Sequence, residues 1–232
     1  NFPPFPGHEI DLYAVLYPAR QVGGDLYDFF IHENTLFFAI GDVSGKGIPA
    51  SLLMASTISL LRTLSSGSNS PSQIAYSLNN SIAERNEADM FVTFFIGMLD
   101  LRTGVMKYCN AGHTPPVLTS PDRTVAFFEM QSDLPLGILK NHDYQEYTYR
   151  FVSGSGILLY TDGVTDAENE KNEFYTRERL LEIVAQNQEL HPREFIRSII
   201  NDIQSHIKSH ELSDDLSMLT FIYGSEWNIK KS

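Results

Sequence analysis

The sequence predicts an α+β layered domain with mainly antiparallel sheets and helices over their outer faces. Three observations predict it. Strand-like segments come first, then two helical segments, many strands, two more helices and a last strand. Turns of hairpin type join most neighbouring strands, which favours antiparallel pairing. Phe195, Ile196, Ile199, Ile200, Ile203 and Ile207 form an apolar stripe at helical spacing, as on a helix with one face against a sheet.

In chain order, Glu9 to Tyr17 alternates apolar and polar residues and reads as a strand. Leu26 to Ile31 and Thr35 to Val43 are the next two, joined by the turn His32-Glu33-Asn34. That hairpin would bring Asp25, just before one strand, near Asp42, at the end of the other. After Gly45-Lys46-Gly47, Ile48-Pro49-Ala50 opens a helix to about Leu64, with Pro suited to the first turn. Its apolar side is read as Leu52, Leu53, Ala55, Leu60 and Leu61. Ser65 to Ser70 is a loop, and Pro71 starts a second helix to about Arg85. Phe91 to Leu101 and Val105 to Cys109 form a hairpin around Arg102-Thr103-Gly104. Further strands are expected at Pro116–Leu118, Val125–Glu129, Tyr147–Phe151 and Gly156–Tyr160. Helices follow at about Arg177–Gln188 and Arg193–Ser209, then a strand at Leu216–Tyr223.

A chain of 232 residues with 42% hydrophobic and 20% charged residues suits a soluble globular protein with a proper core. No apolar stretch approaches the ~20 residues of a membrane span, and no signal peptide is visible. The chain starts without Met, behind a Pro-rich segment, and so reads as part of something longer. One cysteine, Cys109, excludes an internal disulfide framework and fits a reducing cytoplasm. A net charge of −12 disfavours nucleic acid and anionic membranes as partners.

The most informative residues are aspartates set among glycine, serine or another aspartate at the ends of apolar runs. They are Asp25, Asp42, Asp162 and the pair Asp214-Asp215. Each alone suits an ordinary turn. A lone buried carboxylate is costly without a partner, so several on tight turns suggest a cage for hard divalent cations. Two such ions bridged by one carboxylate would hold a shared water as hydroxide and clamp a phosphoryl group. Asp42 is the natural bridge, and the Val43 carbonyl lies next to it. Oxygen donors of this kind favour Mg²⁺ and Mn²⁺.

Other chemistries fail on spacing. A Cys-x5-Arg thiol phosphatase would need Arg where Pro115 stands. Gly45-Lys46 is followed by Gly47, not the Ser or Thr of a Walker A loop. There is no Gly-x-Ser-x-Gly elbow. Gly23-Gly24-Asp25 has a counterpart in cyclic-dinucleotide cyclases, but Leu26-Tyr27 replaces their Glu-Phe. His113, in Asn110-Ala111-Gly112-His113, is open to a ligand, general-acid or structural reading, and the histidines lack zinc-type spacing.

Taken together, Val22-Gly23-Gly24-Asp25-Leu26-Tyr27-Asp28 and Gly41-Asp42-Val43-Ser44-Gly45-Lys46-Gly47 resemble the bacterial RsbU/SpoIIE branch of the metal-dependent type 2C (PPM) protein phosphatases. Phe91-Val92-Thr93, Asn110-Ala111-Gly112-His113, Pro135-Leu136-Gly137, Leu159 to Asp166 and Asp214-Asp215-Leu216-Ser217 agree in order. The resemblance runs from about Ile10 to Tyr223. It implies a four-layer α-β-β-α sandwich of two antiparallel sheets flanked by helix pairs, with 1–8 a leading segment or linker, 9–224 the phosphatase domain and 225–232 a tail. It also implies hydrolysis of phosphoserine or phosphothreonine on a protein, dependent on two Mn²⁺ or Mg²⁺ ions. Asp42 and Asp25 would be the catalytic acids. Asp42 would bridge both metals and the Val43 carbonyl would bind one. Asp162 and one of Asp214 and Asp215 would bind the other, and Asp25 would bind directly or through water. Many type 2C enzymes carry Asp-Gly-His at the bridge, whose His is a proposed general acid; here Asp42-Val43-Ser44 leaves that role unassigned.

The expected substrate is a phosphorylated signalling protein, by resemblance a STAS-type anti-sigma-factor antagonist, in the cytoplasm. Two alternatives remain at this level: a pseudophosphatase that binds phosphoproteins, and a hydrolase of small phosphoesters, which the scarcity of basic residues around the motifs disfavours. The helices from about Ile48 to Arg85 follow directly from the loop holding Asp42. A shift of the first would move a metal ligand, so an upstream sensor, an activator protein or a homodimer interface is an expected switch.

Overall fold

In a computed structural model the described residues are 10–19, 22–65, 67, 70–84 and 90–224. The expected segments 1–8 and 225–232, and the positions Glu9 and Arg85, lie outside them. In chain order the elements are β1 (Ile10–Tyr17), β2 (Leu26–His32), β3 (Thr35–Val43), α1 (Ile48–Ser65), α2 (Pro71–Glu84), β4 (Val92–Asp100) and β5 (Val105–Ala111). There follow β6 (Val117–Thr119), β7 (Val125–Phe127), β8 (Tyr147–Arg150), β9 (Gly156–Tyr160), a short 3-10 turn (Asp162–Val164), α3 (Arg177–Asn187), α4 (Pro192–Ile207) and β10 (Leu216–Tyr223).

The strands form two five-stranded sheets, β1-β10-β9-β6-β7 (sheet one) and β2-β3-β4-β5-β8 (sheet two). All of their strand pairings are antiparallel. α1 and α2 pack on sheet two, α3 and α4 on sheet one. This is the expected four-layer sandwich, and it explains why β3 reads Leu36-Phe37-Phe38-Ala39-Ile40, almost continuously apolar. Leu36, Phe38 and Ile40 enter the core between the sheets, while Ala39 and Val43 face the helices. In β10, Leu219 and Phe221 point into that inter-sheet core, and Leu216 and Met218 meet α3 and α4. The stripe on α4 packs as expected, with Phe195, Ile196, Ile199, Ile203 and Ile207 buried. Each such side chain contributes about 1.5–3 kcal/mol of transfer free energy before entropic costs.

α1 departs from its sequence reading. Leu52 is 65% exposed and Ala55 is also exposed. The buried stripe is instead Ala50, Thr57, Leu61 and Ser65. Two of these are polar, yet their hydroxyls donate back along the helix, Thr57 Oγ1 to the Leu53 carbonyl at 2.8 Å and Ser65 Oγ to the Leu61 carbonyl at 2.7 Å. Satisfied in this way they can face a sheet, whereas counting apolar letters puts them outside. By length and composition alone α1 is apolar enough to cross a membrane, contrary to the expectation that no segment is. In the fold it lies on sheet two, with Arg62 in a two-point ion pair to the buried Asp28 of β2, Nε–Oδ2 2.7 Å and Nη2–Oδ1 2.8 Å.

Other differences are short. β5 runs two residues beyond Cys109 and carries Asn110 into the ladder. The β2–β3 turn is tighter than read, because His32 pairs with Thr35 and Glu33 takes φ 54°. The 3-10 turn after β9 is too brief to leave a periodic signal. Cys109 is buried on the helix side of sheet two, and burial pushes its thiol up to about 12, leaving it inert.

Candidate active site

The ladders deliver the acids to one place. β2 and β3 pair Leu26 with Gly41, so Asp25 and Asp42 stand side by side just past that pair. On the next strand Thr93 is the register partner of Asp42. In sheet one Tyr160 pairs with Met218, and the Thr161 N–H donates to the Ser217 carbonyl at 3.0 Å. Asp162 therefore leaves β9 where Asp214 and Asp215 enter β10. The Thr161 hydroxyl joins the sheets: Oγ1 donates to Asp25 Oδ2 at 2.6 Å and accepts from the Ser217 N–H at 3.0 Å.

The paired aspartates do different things. Asp215 is 7% exposed. Its Oδ1 accepts from the Ala19 N–H at 2.8 Å, and its Oδ2 from the N–H groups of Gly24 at 2.6 Å and Asp25 at 3.4 Å. It clamps the loop that carries Asp25. Two glycines make room: a Cβ at Gly23 would stand 2.2 Å from Asp215 Oδ2, and one at Gly163 would stand 1.9 Å from the Asp215 carbonyl oxygen. The Asp214 side chain is 44% exposed and its Oδ2 meets Lys46 Nζ at 2.9 Å. At Gly24 a Cβ would stand 3.0 Å from the Val43 carbonyl oxygen and 3.6 Å from Asp42 Oδ1, so both oxygens border the Gly24 turn.

Burial, then the charge of Asp42, pushes Asp25 up to about 9 against the Thr161 hydrogen bond. Burial, then the charges of Asp162 and Asp214, pushes Asp42 up to about 7, while a hydrogen bond from Asp25 pulls the other way. Both carboxyls are thus held well above the ordinary carboxylate range by burial and by the neighbouring carboxylates. Asp162 is raised by burial and by Asp166 and Asp214, with Lys46 opposing.

The donor set suits a hard dication. The crowded carboxylates have little counter-charge beyond Lys46 on Asp214, and all the donors are oxygen, which favours Mg²⁺ or Mn²⁺ over softer metals. The closed cage expected from sequence is not built from side chains alone: among the described residues no three Asp, Glu, His or Cys side chains gather closely enough to hold an ion. One or two carboxylates, a carbonyl such as that of Val43, and water is the usual way Mg²⁺ is held.

His113 takes the structural reading. It is 4% exposed, its Nδ1 lies 3.0 Å from Thr93 Oγ1, and its backbone is held by the Asn110 side chain at 2.9 and 3.1 Å. Burial pushes the imidazole down to about 4, so it stays neutral. It braces Thr93, the neighbour of Asp42. Sequence reasoning missed Thr161, Thr93 and Lys46. Their signal was position only: Thr161 stands between a strand end and Asp162, and Lys46 between two glycines.

A family model for stage II sporulation protein E (SpoIIE) matches residues 32–222. The phosphoserine phosphatase RsbU of Bacillus subtilis (strain 168) is 29% identical over 211 residues, which cover 90% of this chain and 62% of RsbU. The chain thus spans less than two thirds of that relative's length. Among solved structures, the SiaA-PP2C domain of Pseudomonas aeruginosa superposes with TM-score 0.81 at 16% identity, over 91% of this chain and 85% of that one. RsbX in complex with magnesium gives TM-score 0.68 at 18% identity, over 93% of each chain. At these identities the structural likeness speaks for the fold.

Proposed function

The chain belongs to the SpoIIE family, within the RsbU/SpoIIE branch of PPM-type phosphatases, and we propose that it is a metal-dependent protein serine/threonine phosphatase. The observation that carries this reading is the meeting of Asp25, Asp42, Asp162 and Asp214 at the joined ends of two sheets, where burial and mutual repulsion raise the first three. Bound Mn²⁺ or Mg²⁺, two ions on this reading, would supply an acidified water as nucleophile and positive charge for the transferring phosphoryl group.

The protein's part is placement. Asp42 would bridge the ions with the Val43 carbonyl beside it; Asp162 and Asp214 would serve the second, and Asp25 would act directly or through water. Asp215, grouped with Asp214 in the sequence reading, is reassigned here to holding the Asp25 loop, because both its oxygens already accept backbone N–H groups. The Asp214 side chain, 44% exposed at the rim of the cluster, suits a phosphoserine presented on another protein's surface. RsbU is named a phosphoserine phosphatase, and the substrate proposed from the motif resemblance is a phosphorylated STAS-type anti-sigma-factor antagonist in the cytoplasm. An upstream sensor, an activator protein or a homodimer contact would act through α1, which follows the Asp42 loop directly.

The test is Asp42→Asn. Mn²⁺-dependent release of phosphate from a phosphoserine peptide should fall by more than about a hundredfold, beyond what loss of an outer-shell partner costs. Retained turnover would sink the mechanism.

A further inference from the structure

We propose that Lys46 is a phosphate-binding residue of this site, held on Asp214 until that carboxylate is given over to a divalent cation. The inference rests on the phosphatase reading and deepens it. Lys46 Nζ lies 2.9 Å from Asp214 Oδ2 and 2.8 Å from the Ser213 carbonyl. It is the cation whose charge reaches Asp162. In a cluster this acidic, a protein cation beside any metal would strengthen the hold on a phosphate dianion, since charge-assisted hydrogen bonds are the strong ones.

Lys46 stands on a turn between two glycines. Gly45 and Gly47, on either side of Lys46, take φ +91° and +83°, and a Cβ on either would meet nothing within 4 Å. These glycines serve backbone conformation, since no close neighbour calls for the missing Cβ. The Lys46 side chain is 45% exposed, so leaving Asp214 costs little packing. Like charges on one carboxylate repel, so a dication on Asp214 would compete with Lys46 for that side chain and weaken its hold on Oδ2. Only four residues from Asp42, the released ammonium stays at the site and faces the incoming phosphoryl oxygens. A compact charge on a flexible stem suits that exchange better than a rigid guanidinium.

Lys46→Met and Lys46→Arg test this, with three readouts on the intact protein: Mn²⁺ titration by calorimetry without substrate, inhibition by inorganic phosphate, and kinetics on a phosphoserine peptide. In Lys46→Met, Mn²⁺ should bind up to about fivefold tighter, the size of an exposed ion pair removed as competitor. Phosphate should inhibit about tenfold less well, the size of one charged hydrogen bond, and KM for the peptide should rise in step. Lys46→Arg, which keeps the charge on a stiffer fork, should restore the response to phosphate only in part. If Lys46→Met leaves phosphate inhibition and KM unchanged, or weakens Mn²⁺ binding, the proposal is overturned. A wild-type protein that releases no phosphate would overturn the phosphatase reading instead, and calorimetric titration of the Mn²⁺-loaded wild type and Lys46→Met with inorganic phosphate would still decide on Lys46.

Discussion

Thr161 of sheet one and Asp25 beside sheet two are bonded across the sandwich at 2.6 Å, from positions 136 residues apart. Because Thr161 Oγ1 also accepts from the Ser217 N–H, its proton is directed at Asp25. Thr161→Val keeps the shape and removes both bonds. It should cost about 1–3 kcal/mol, lower the melting temperature by roughly 2–4 °C per kcal/mol, and weaken Mn²⁺ binding. Thr161→Ser should keep both bonds. A Val variant with unaltered melting and Mn²⁺ titration would show the link to be idle.

The neighbours Asp214 and Asp215 should separate cleanly. Asp214→Asn should leave melting nearly unchanged, since an exposed ion pair is worth about 0–1 kcal/mol, while Mn²⁺ affinity falls by more than tenfold, roughly the floor for disturbing a metal site. Asp215→Ala should cost about 2–4 kcal/mol, because three backbone N–H groups lose their acceptor. Thermal melts and Mn²⁺ calorimetry on both variants decide it; the reverse pattern would exchange the two roles.

Gly163→Ala places a Cβ 1.9 Å from a backbone oxygen, which cannot swing aside as a side chain can. Forcing Asp215 and the 3-10 turn apart should cost about 1–3 kcal/mol and shift Asp162. Melting temperature and Mn²⁺ affinity should drop together.

The raised carboxyls make stability pH-dependent. Asp42 at about 7 and Asp25 at about 9 hold protons in the folded state that the unfolded chain has already lost near pH 4. Stability is therefore greatest below that point and declines as pH rises through the folded values. In EDTA, melting at pH 8 should lie below melting at pH 5, by roughly 4–8 °C if about 2 kcal/mol is lost. Mn²⁺ should restore most of the difference, and Asp42→Asn should flatten the slope. A metal-free protein that gains stability from pH 5 to 8 would contradict the crowding of these acids.

Much of this was legible because strand ends and turns write themselves in short strings. Leu216 to Tyr223 and Gly156 to Tyr160 were read to the residue, and the β2–β3 hairpin fixed the adjacency of Asp25 and Asp42 in advance. What escaped depends on partners far along the chain. The difference between Asp214 and Asp215 lies in which of them meets the backbone of Gly24, 191 positions away, and nothing local in Asp-Asp-Leu-Ser states that. The buried side of α1 was misread for a related reason: Thr57 and Ser65 satisfy themselves within the helix, so polarity did not predict exposure there.

The clamp of Asp215 on the Asp25 loop also sets a clock during biosynthesis. A ribosome adding about 5–20 residues per second needs roughly 10–40 s to pass from Asp25 to Asp215, which lie 190 positions apart. Through that interval the hairpin of β2 and β3 can form, but β1 has no β10 to pair with and the Asp25 loop has no carboxylate to hold it. A nascent or truncated chain lacking β10 therefore has no assembled acid cluster until synthesis has carried the late strand into place.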